Sequence, residues 1–299
     1  MGKKHRKERA GRQAPLRDAE SFRACLRRMA RENKLAAFSA AVILLLVLLA
    51  AFADVLAPYG QNDMDLLHRM AAPTPAHPLG TDEGGRDILT RMLYGARVSL
   101  MIGVAPTLLS MLLGTALGVT AGYYGGKIDA VIMRLADITL AFPSMLLAMV
   151  IIYTLGNSMA NVFLTLTLVN WASVARVVRS ETLRLKTSEY VEAARVIGVR
   201  SRKVIFRHIL PNCLPTLLVL FTLGVPSSIL TESGLSFLGM GVQPPAASWG
   251  LMVNTGRQYL LNAPWICFCP GGAIMLTVLA FNFLGDGLRD ALDPREKQL

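Results

Sequence analysis

Five stretches of this chain, Leu35 to Ala53, Val98 to Gly126, Ile138 to Ala175, Ile209 to Thr231 and Trp265 to Gly285, contain no Asp, Glu, Lys or Arg. Runs of that length leave few choices of fold. About 20 apolar residues in a helix cross the hydrocarbon core of a bilayer, and only helices or closed barrels satisfy their own backbone groups there. The run from Ile138 to Ala175 is 38 residues long. That is too long for one span and suits two, with Gly156-Asn157-Ser158 as the turn between them. The third span then begins near Asp137 and the fourth ends near Arg176. The expected fold is an all-α membrane protein of six transmembrane helices, the last over Trp265 to Gly285. Pro106, Gly114 and Gly118 lie inside the second span, where small residues suit close helix packing. Pro215 and Pro226 are expected to bend the fifth.

Composition agrees: 53% hydrophobic, 17% charged and a mean hydropathy of +0.44 over 299 residues, less polar than soluble domains of this length. A net charge of +11 raises nucleic acid as a partner, but its distribution argues for a lipid bilayer instead. Twelve of the 31 Lys and Arg fall in residues 1–34 and nine lie between Arg176 and Arg207. Both groups flank apolar runs, where positive charge fixes orientation toward the cytoplasm. Arg69, Arg86, Arg91, Arg97 and Arg257 alone fall on segments assigned outside. Both termini are therefore expected in the cytoplasm, with no nucleic-acid partner. Cys25, Cys213, Cys267 and Cys269 show neither a disulfide framework nor metal-site spacing, and read as packing residues.

The chain divides accordingly. Residues 1–34 are a basic cytoplasmic tail, in which Ser21 to Asn33 suits a helix lying on the anionic inner leaflet. No small-residue cleavage site marks this tail as a signal peptide. Residues 35–57 carry the first span, and 58–96 form an extracytoplasmic loop broken by Pro73, Pro75 and Pro78. The other five helices occupy 97–286, and 287–299 return as a cytoplasmic tail. Ser233 to Thr255 is uncharged but interrupted by Gly239, Gly241, Pro244, Pro245 and Gly250. Leu235 to Leu261 therefore reads as an outer loop that partly re-enters the membrane, allowed only where protein or a water-filled cavity surrounds it.

Between the fourth and fifth spans lies Tyr190 to Asn212, Y-V-E-A-A-R-V-I-G-V-R-S-R-K-V-I-F-R-H-I-L-P-N. Thr187 and Ser188 suit the cap of a helix whose first turns carry Glu189 and Glu192, the favoured sign at an N-terminus. Tyr190, Ala193, Ala194 and Ile197 recur at helical spacing and give one shallow apolar face. Gly198 suits a left-handed stop. Ser201 begins a second helix, which Pro211 is expected to interrupt. The sketch is a short docking helix, a hinge and a lever into the membrane.

Glu192-Ala193-Ala194, three residues, Gly198 and then Leu210-Pro211 resembles the EAA loop of ATP-binding-cassette importer permeases. His208 stands where that family often has Ile. Three further phrases resemble the dipeptide and oligopeptide branch: H-P-L-G-T-D-E-G-G-R-D with R-M-L-Y-G-A-R-V-S-L (His77 to Leu100, in order), M-R-L-A-D-I-T-L-A-F-P-S-M-L-L-A (Met133 to Ala148) and L-S-F-L-G-M-G-V-Q-P-P-A-A-S-W-G-L-M (Leu235 to Met252). The resemblance implies a type I importer permease fold over 97–286, with a coupling loop over about 180–212. It implies that Glu192, Ala193, Ala194, Gly198, Leu210 and Pro211 couple the chain to ATPases. It also implies the partners: a second, related permease, two cytoplasmic ATPases and an extracytoplasmic binding protein. The cargo implied is a di- or oligopeptide, with nickel or another small solute as the alternative. ATP and Mg²⁺ would be bound by the ATPases, and this chain, which has no G-x-x-x-x-G-K-[ST], would hold no cofactor.

Glu232 is the remaining acid near membrane depth, by default a functional position. It could line the outer vestibule and meet a cationic substrate amine, or it could cap a helix or pair with Arg257. His68, His77, Met64 and Met70 share the outer loop without zinc-like spacing, so no metal site is assigned. An intramembrane hydrolase would need a serine and a histidine in reach, whereas Ser236 and His208 belong to opposite membrane faces, about 30 Å apart. A secondary transporter would show mid-membrane ionisable residues and an internal repeat, and neither is seen.

Overall fold

The computed structural model describes residues 33–292. Residues 1–32, with nearly all of the basic leader and its expected surface helix, and residues 293–299 lie outside this range. The described chain is helical, without a strand beyond one isolated bridge between Thr81 and Asp87.

α1 (Lys34–Ala51) starts where the Asn33 side chain accepts the Ala36 N–H, a normal N-cap. A short helix, α2 (Ala53–Leu56), follows at the far end of the span. α3 (Ile88–Tyr124) runs for 37 residues, about 55 Å at 1.5 Å per residue, so it overshoots the bilayer. It begins earlier than its uncharged run because Asp87 caps it, accepting from the Thr90 N–H at 2.7 Å. α4 (Gly126–Ala141), α5 (Ser144–Leu155) and α6 (Met159–Lys186) come next. After α7 (Glu189–Val196) a continuous helix, α8 (Ser201–Phe237), leads to α9 (Trp249–Gly256) and α10 (Trp265–Leu292).

Five of these helices, α1, α3, α6, α8 and α10, are long and apolar enough to cross a membrane. The expected third span differs. It is a bent pair, α4 and α5, meeting at 94°. Pro143 forces the break: the residue before a proline is driven out of the helical region, and Phe142 is extended at φ −90°, ψ 140°. The twelve residues of α5 span only about 18 Å, too little to cross alone. α4 instead lies along α6, tied to it by Asp129 with Arg179 and by Asp137 with Arg176 at 2.7 Å.

The closest helix pair is α3 with α6. Gly114, Gly118 and Gly122 form a row at four-residue spacing, and a Cβ at any of them would collide with the α6 backbone at Trp171, Ala175 or Arg179. This is the small-xxx-small contact by which membrane helices approach without a hydrophobic drive. A buried core joins α1, α3, α8, α9 and α10 through Leu46, Leu100, Val225, Trp249 and Phe281.

The loop between α2 and α3 folds into a clasp on the start of α3. The Asp82 carboxylate accepts from the Gly84 and Arg86 N–H groups, pairs with Arg86 at 2.7 Å and meets Arg91 at 3.3 Å. Trp265 at the head of α10 donates its indole N–H to the Thr81 carbonyl. The phrase from His77 to Asp87 thus locks the starts of α3 and α10 together.

Candidate functional site: the segment between α6 and α8

α6 does not stop at the end of its uncharged run. It continues through Arg176, Arg179 and Arg184 to Lys186, so the segment that follows is held well clear of the apolar zone. The hydroxyls of Thr187 and Ser188 donate backward, to the carbonyls of Arg184 at 3.0 Å and Leu185 at 2.5 Å. They close the end of α6, and the side-chain cap of α7 expected from sequence is not formed. The last carbonyls of a helix are orphaned and a hydroxyl one turn on reaches them. Ser188 still starts α7 through its carbonyl, which receives the Val191 and Glu192 N–H groups.

Glu189 and Glu192 occupy the first turn of α7, complementing the positive end of the helix dipole. The stop is as expected. Gly198 sits at φ +79°, its N–H donates to the Arg195 carbonyl, and the Val199 N–H donates to Ala194. That pair of bonds is the Schellman termination, and its left-handed residue favours glycine.

The faces of α7 divide differently from the sequence expectation. Ala194 turns inward with Val191, while Tyr190, Ala193 and Ile197 turn outward. The missed signal was Val191, which stands three residues before Ala194 and so shares its face of α7. Val191 clusters with Val199, Val204 and Ile209, and with Tyr123 of α3, Leu185 of α6 and Cys213 of α8. Lys186 donates to the Tyr123 carbonyl at 2.7 Å, and the Arg195 guanidinium stands 5.5 Å from the Tyr123 ring centre. α7 is therefore clamped by its back to the ends of three long helices. Its front carries Val196 at 87% and Ile197 at 80% exposure, beside the exposed Glu192. The Glu192 carboxylate has no side-chain partner among the described residues.

Pro211 does not interrupt the second helix. Five residues, Ile205 to Ile209, widen into a π turn in which the Leu210 N–H reaches the Ile205 carbonyl. The register shift places Pro211 in the first turn of the next α-helical stretch, where its missing N–H costs little. Leu210 is half-buried against Val119, Val174 and Val178, while Pro211 is exposed. The interruption expected at Pro211 is thus a π turn inside one unbroken lever, and the bend ahead of that lever is the Gly198 turn.

Glu232 lies far from this segment, near the outer end of α8, and is 1% exposed. Its Oε1 accepts from Ser236 at 2.6 Å and Ser248 at 3.0 Å, so it ties α8 to the start of α9. Its Oε2 has no hydrogen-bond partner among the described residues. The pairing with Arg257 offered by sequence is not formed: that guanidinium sits 4.3 Å over the Phe237 ring. Ser236 and His208 stand at opposite ends of α8, so no serine–histidine pair exists there. In the outer loop His68 bonds Asp65 at 2.7 Å and His77 bonds Asp87 at 3.0 Å. His68 beside it holds the Asp65 carboxyl below its ordinary range. Each imidazole is occupied by its own carboxylate, and no group of three metal-ligand side chains gathers among the described residues.

Comparison with known proteins places this geometry in a family. Residues 114–298 match the family model for the binding-protein-dependent transport system inner membrane component. Residues 22–73 match the N-terminal transmembrane domain of oligopeptide transport permease C. The dipeptide transport system permease protein DppC of Alkalihalophilus pseudofirmus is 44% identical, over 89% of this chain and 88% of the relative. The glutathione transport system permease protein GsiD of Pectobacterium atrosepticum is 45% identical, over 85% of each. The oligopeptide permease OppC of Bacillus subtilis is 42% identical, over 89% of this chain and 87% of the relative. Among solved structures, an inward-facing MetNI methionine ABC transporter matches with a TM-score of 0.55 at 18% identity, over 68% of this chain and 97% of that one. At that identity the likeness shows the fold alone.

Proposed function

The chain belongs to the family of inner-membrane components of binding-protein-dependent transport systems, and we propose that α7 is the handle by which cytoplasmic ATPases move it. It is a multi-pass permease subunit of an ABC importer and carries out no chemistry of its own. The observation that carries the proposal is the two-faced helix: a front of Val196, Ile197 and unpartnered Glu192, and a back clamped to α3, α6 and α8.

The front fits a groove with an apolar floor and a basic or polar rim. Val196 and Ile197 fill the floor, and Glu192 meets the rim. Because the back is fixed to three spans, displacement of α7 carries those spans with it. ATP binding closes the two ATPases, which draws α7 and turns the cavity from inside-facing to outside-facing. Cargo then enters from an extracytoplasmic binding protein, and hydrolysis resets the cycle. A second, related permease supplies the other half of the cavity. ATP and Mg²⁺ belong to the ATPases. The relatives are named for dipeptide, oligopeptide and glutathione transport, and those names support a peptide-like cargo here over nickel.

Glu192→Lys reverses the charge offered to the rim, and Gly198→Pro is incompatible with φ +79°. Each variant is expected to insert and assemble normally yet lose at least about tenfold in ATP-driven uptake, the equivalent of ~1.4 kcal/mol. Wild-type uptake in both would remove α7 from the coupling path.

A further inference from the structure

At mid-span a small cavity of about 190 Å³ opens between α3, α6 and α8, room for roughly six waters at ~30 Å³ each. Thr107, Ser110, Asn170, Ser173 and Ser227 line it. The hydroxyls of its floor are already used. Thr107 bonds Ser228 at 3.0 Å and the Gly103 carbonyl at 2.6 Å, and Ser110 donates to the Thr107 carbonyl. At its mouth the Ser173 hydroxyl donates to the Asn170 carbonyl at 2.9 Å, while the Ser227 hydroxyl and the Asn170 amide are not used. Ser173 and Ser227 are exposed and Asn170 is half-exposed. Neither the Asn170 amide nor the Ser227 hydroxyl has a hydrogen-bond partner among the described residues.

Hydrocarbon cannot satisfy such groups, and each one left bare at this depth costs several kcal/mol. The face they form must therefore meet water, cargo or protein. Its neighbouring face does not share this character. The groove on the other flank of α3 is lined mainly by apolar residues, Leu108, Leu112, Val119, Phe206 and Leu217 among them, with Arg202, Thr115 and Thr120 at its ends and sides, and by no residue of α6. Polar and apolar flanks of one helix pair give the span a wet side and a lipid side.

We propose that Asn170, Ser173 and Ser227 form this chain's wall of the translocation path and handle cargo through neutral hydrogen bonds. This rests on the importer reading above. The asparagine amide, with two donors and one acceptor, matches a peptide group, and the serine hydroxyls add donors and acceptors that rotate to suit. No ionisable side chain lines the cavity, so the wall is indifferent to the charge on a cargo's side chains. The same lining offers a divalent transition metal no imidazole, thiolate or carboxylate. The class of solute it accepts is amide-rich and peptide-like.

The test uses the full transporter: this chain with its partner permease, ATPases and binding protein, in vesicles, with Cys25, Cys213, Cys267 and Cys269 replaced. Single cysteines at Ser173, Ser227 and Leu112 are exposed to a membrane-impermeant quaternary-ammonium methanethiosulfonate, with and without nucleotide. Labelling at Ser173→Cys and Ser227→Cys that changes at least threefold with nucleotide, against an inert Leu112→Cys, is the expected result. Asn170→Asp, in parallel, should impose about a tenfold preference for cationic over anionic dipeptides, an effect of some 1.4 kcal/mol. A merely structural asparagine would not create that preference. Inert cysteines at 173 and 227 in a transporter with normal uptake overturn the wall and leave the importer reading standing. Reactivity of those two in the isolated chain but not in the complex places them in a subunit interface, which also overturns it. Equal labelling at Leu112→Cys removes the distinction between flanks and does the same. Absence of ATP-driven uptake by the unsubstituted transporter overturns both readings.

Discussion

The carboxylate of Glu232 is 1% exposed, bonded through Oε1 to Ser236 and Ser248, and its Oε2 lies beside Gly250, where a Cβ would strike it. Of the roles open to it from sequence, the surroundings favour the structural one: a tie between α8 and the returning outer segment. Glutamine keeps an acceptor for both serines and fills the place of Oε2 with a donor. Leucine leaves two buried hydroxyls without their acceptor, a loss of about 2 kcal/mol or more. Glu232→Gln is therefore expected to assemble and transport near wild-type levels, and Glu232→Leu to fall in thermal stability in detergent. Selective loss of cationic cargo in Glu232→Gln would instead put the residue in the path. Sequence could single out this acid because so few others stand near membrane depth. It could not name its partners, since Ser248 reaches it only after the chain has turned back through residues 238–247. Gly198 was legible for the opposite reason: its left-handed turn is a local property, set within α7 itself.

Between helices, the row Gly114, Gly118 and Gly122 decides how closely α3 approaches α6. Gly118→Leu puts a branched side chain against the Ala175 carbonyl and Val178. The cost is in the range of overpacking, ~1–3 kcal/mol. Lower yield of assembled complex is expected, together with a lower melting temperature of what assembles, measured by fluorescence-detected size exclusion. Two of these glycines could be picked from the sequence because they sit inside an uncharged run. Gly122 lies in the same uncharged run, and only its approach to Arg179 and Thr182 shows that it belongs to the row. The broken third span escaped because charge alone set its boundaries. Phe142-Pro143 lies inside an uncharged stretch, so counting apolar residues gave one straight helix where backbone sterics impose a turn. The π turn before Pro211 escaped likewise: a proline rule says a helix ends, while a five-residue register shift lets it continue.

For the whole molecule, the apolar runs and the placement of Lys and Arg were enough to reveal a multi-span helical chain. They could not reveal which long helices would be welded into one body. That depends on side chains far apart in sequence, Tyr123, Leu185, Val191 and Cys213, meeting behind α7, and on Thr81 and Trp265 meeting at the outer end. The result is a set of spans clasped at the outer end and joined at the other through a helix that presents Val196 and Ile197 outward. On the proposed coupling, a force applied to α7 passes into α3, α6 and α8, against which its buried face packs. Cysteine placed at Ile197, on inside-out vesicles carrying the whole transporter, measures this most directly. The account predicts a crosslink to an ATPase subunit whose yield changes between the nucleotide-free and ATP-trapped states. Modification of that cysteine from the outside of intact cells, with no crosslink to the ATPase in either state, would contradict it.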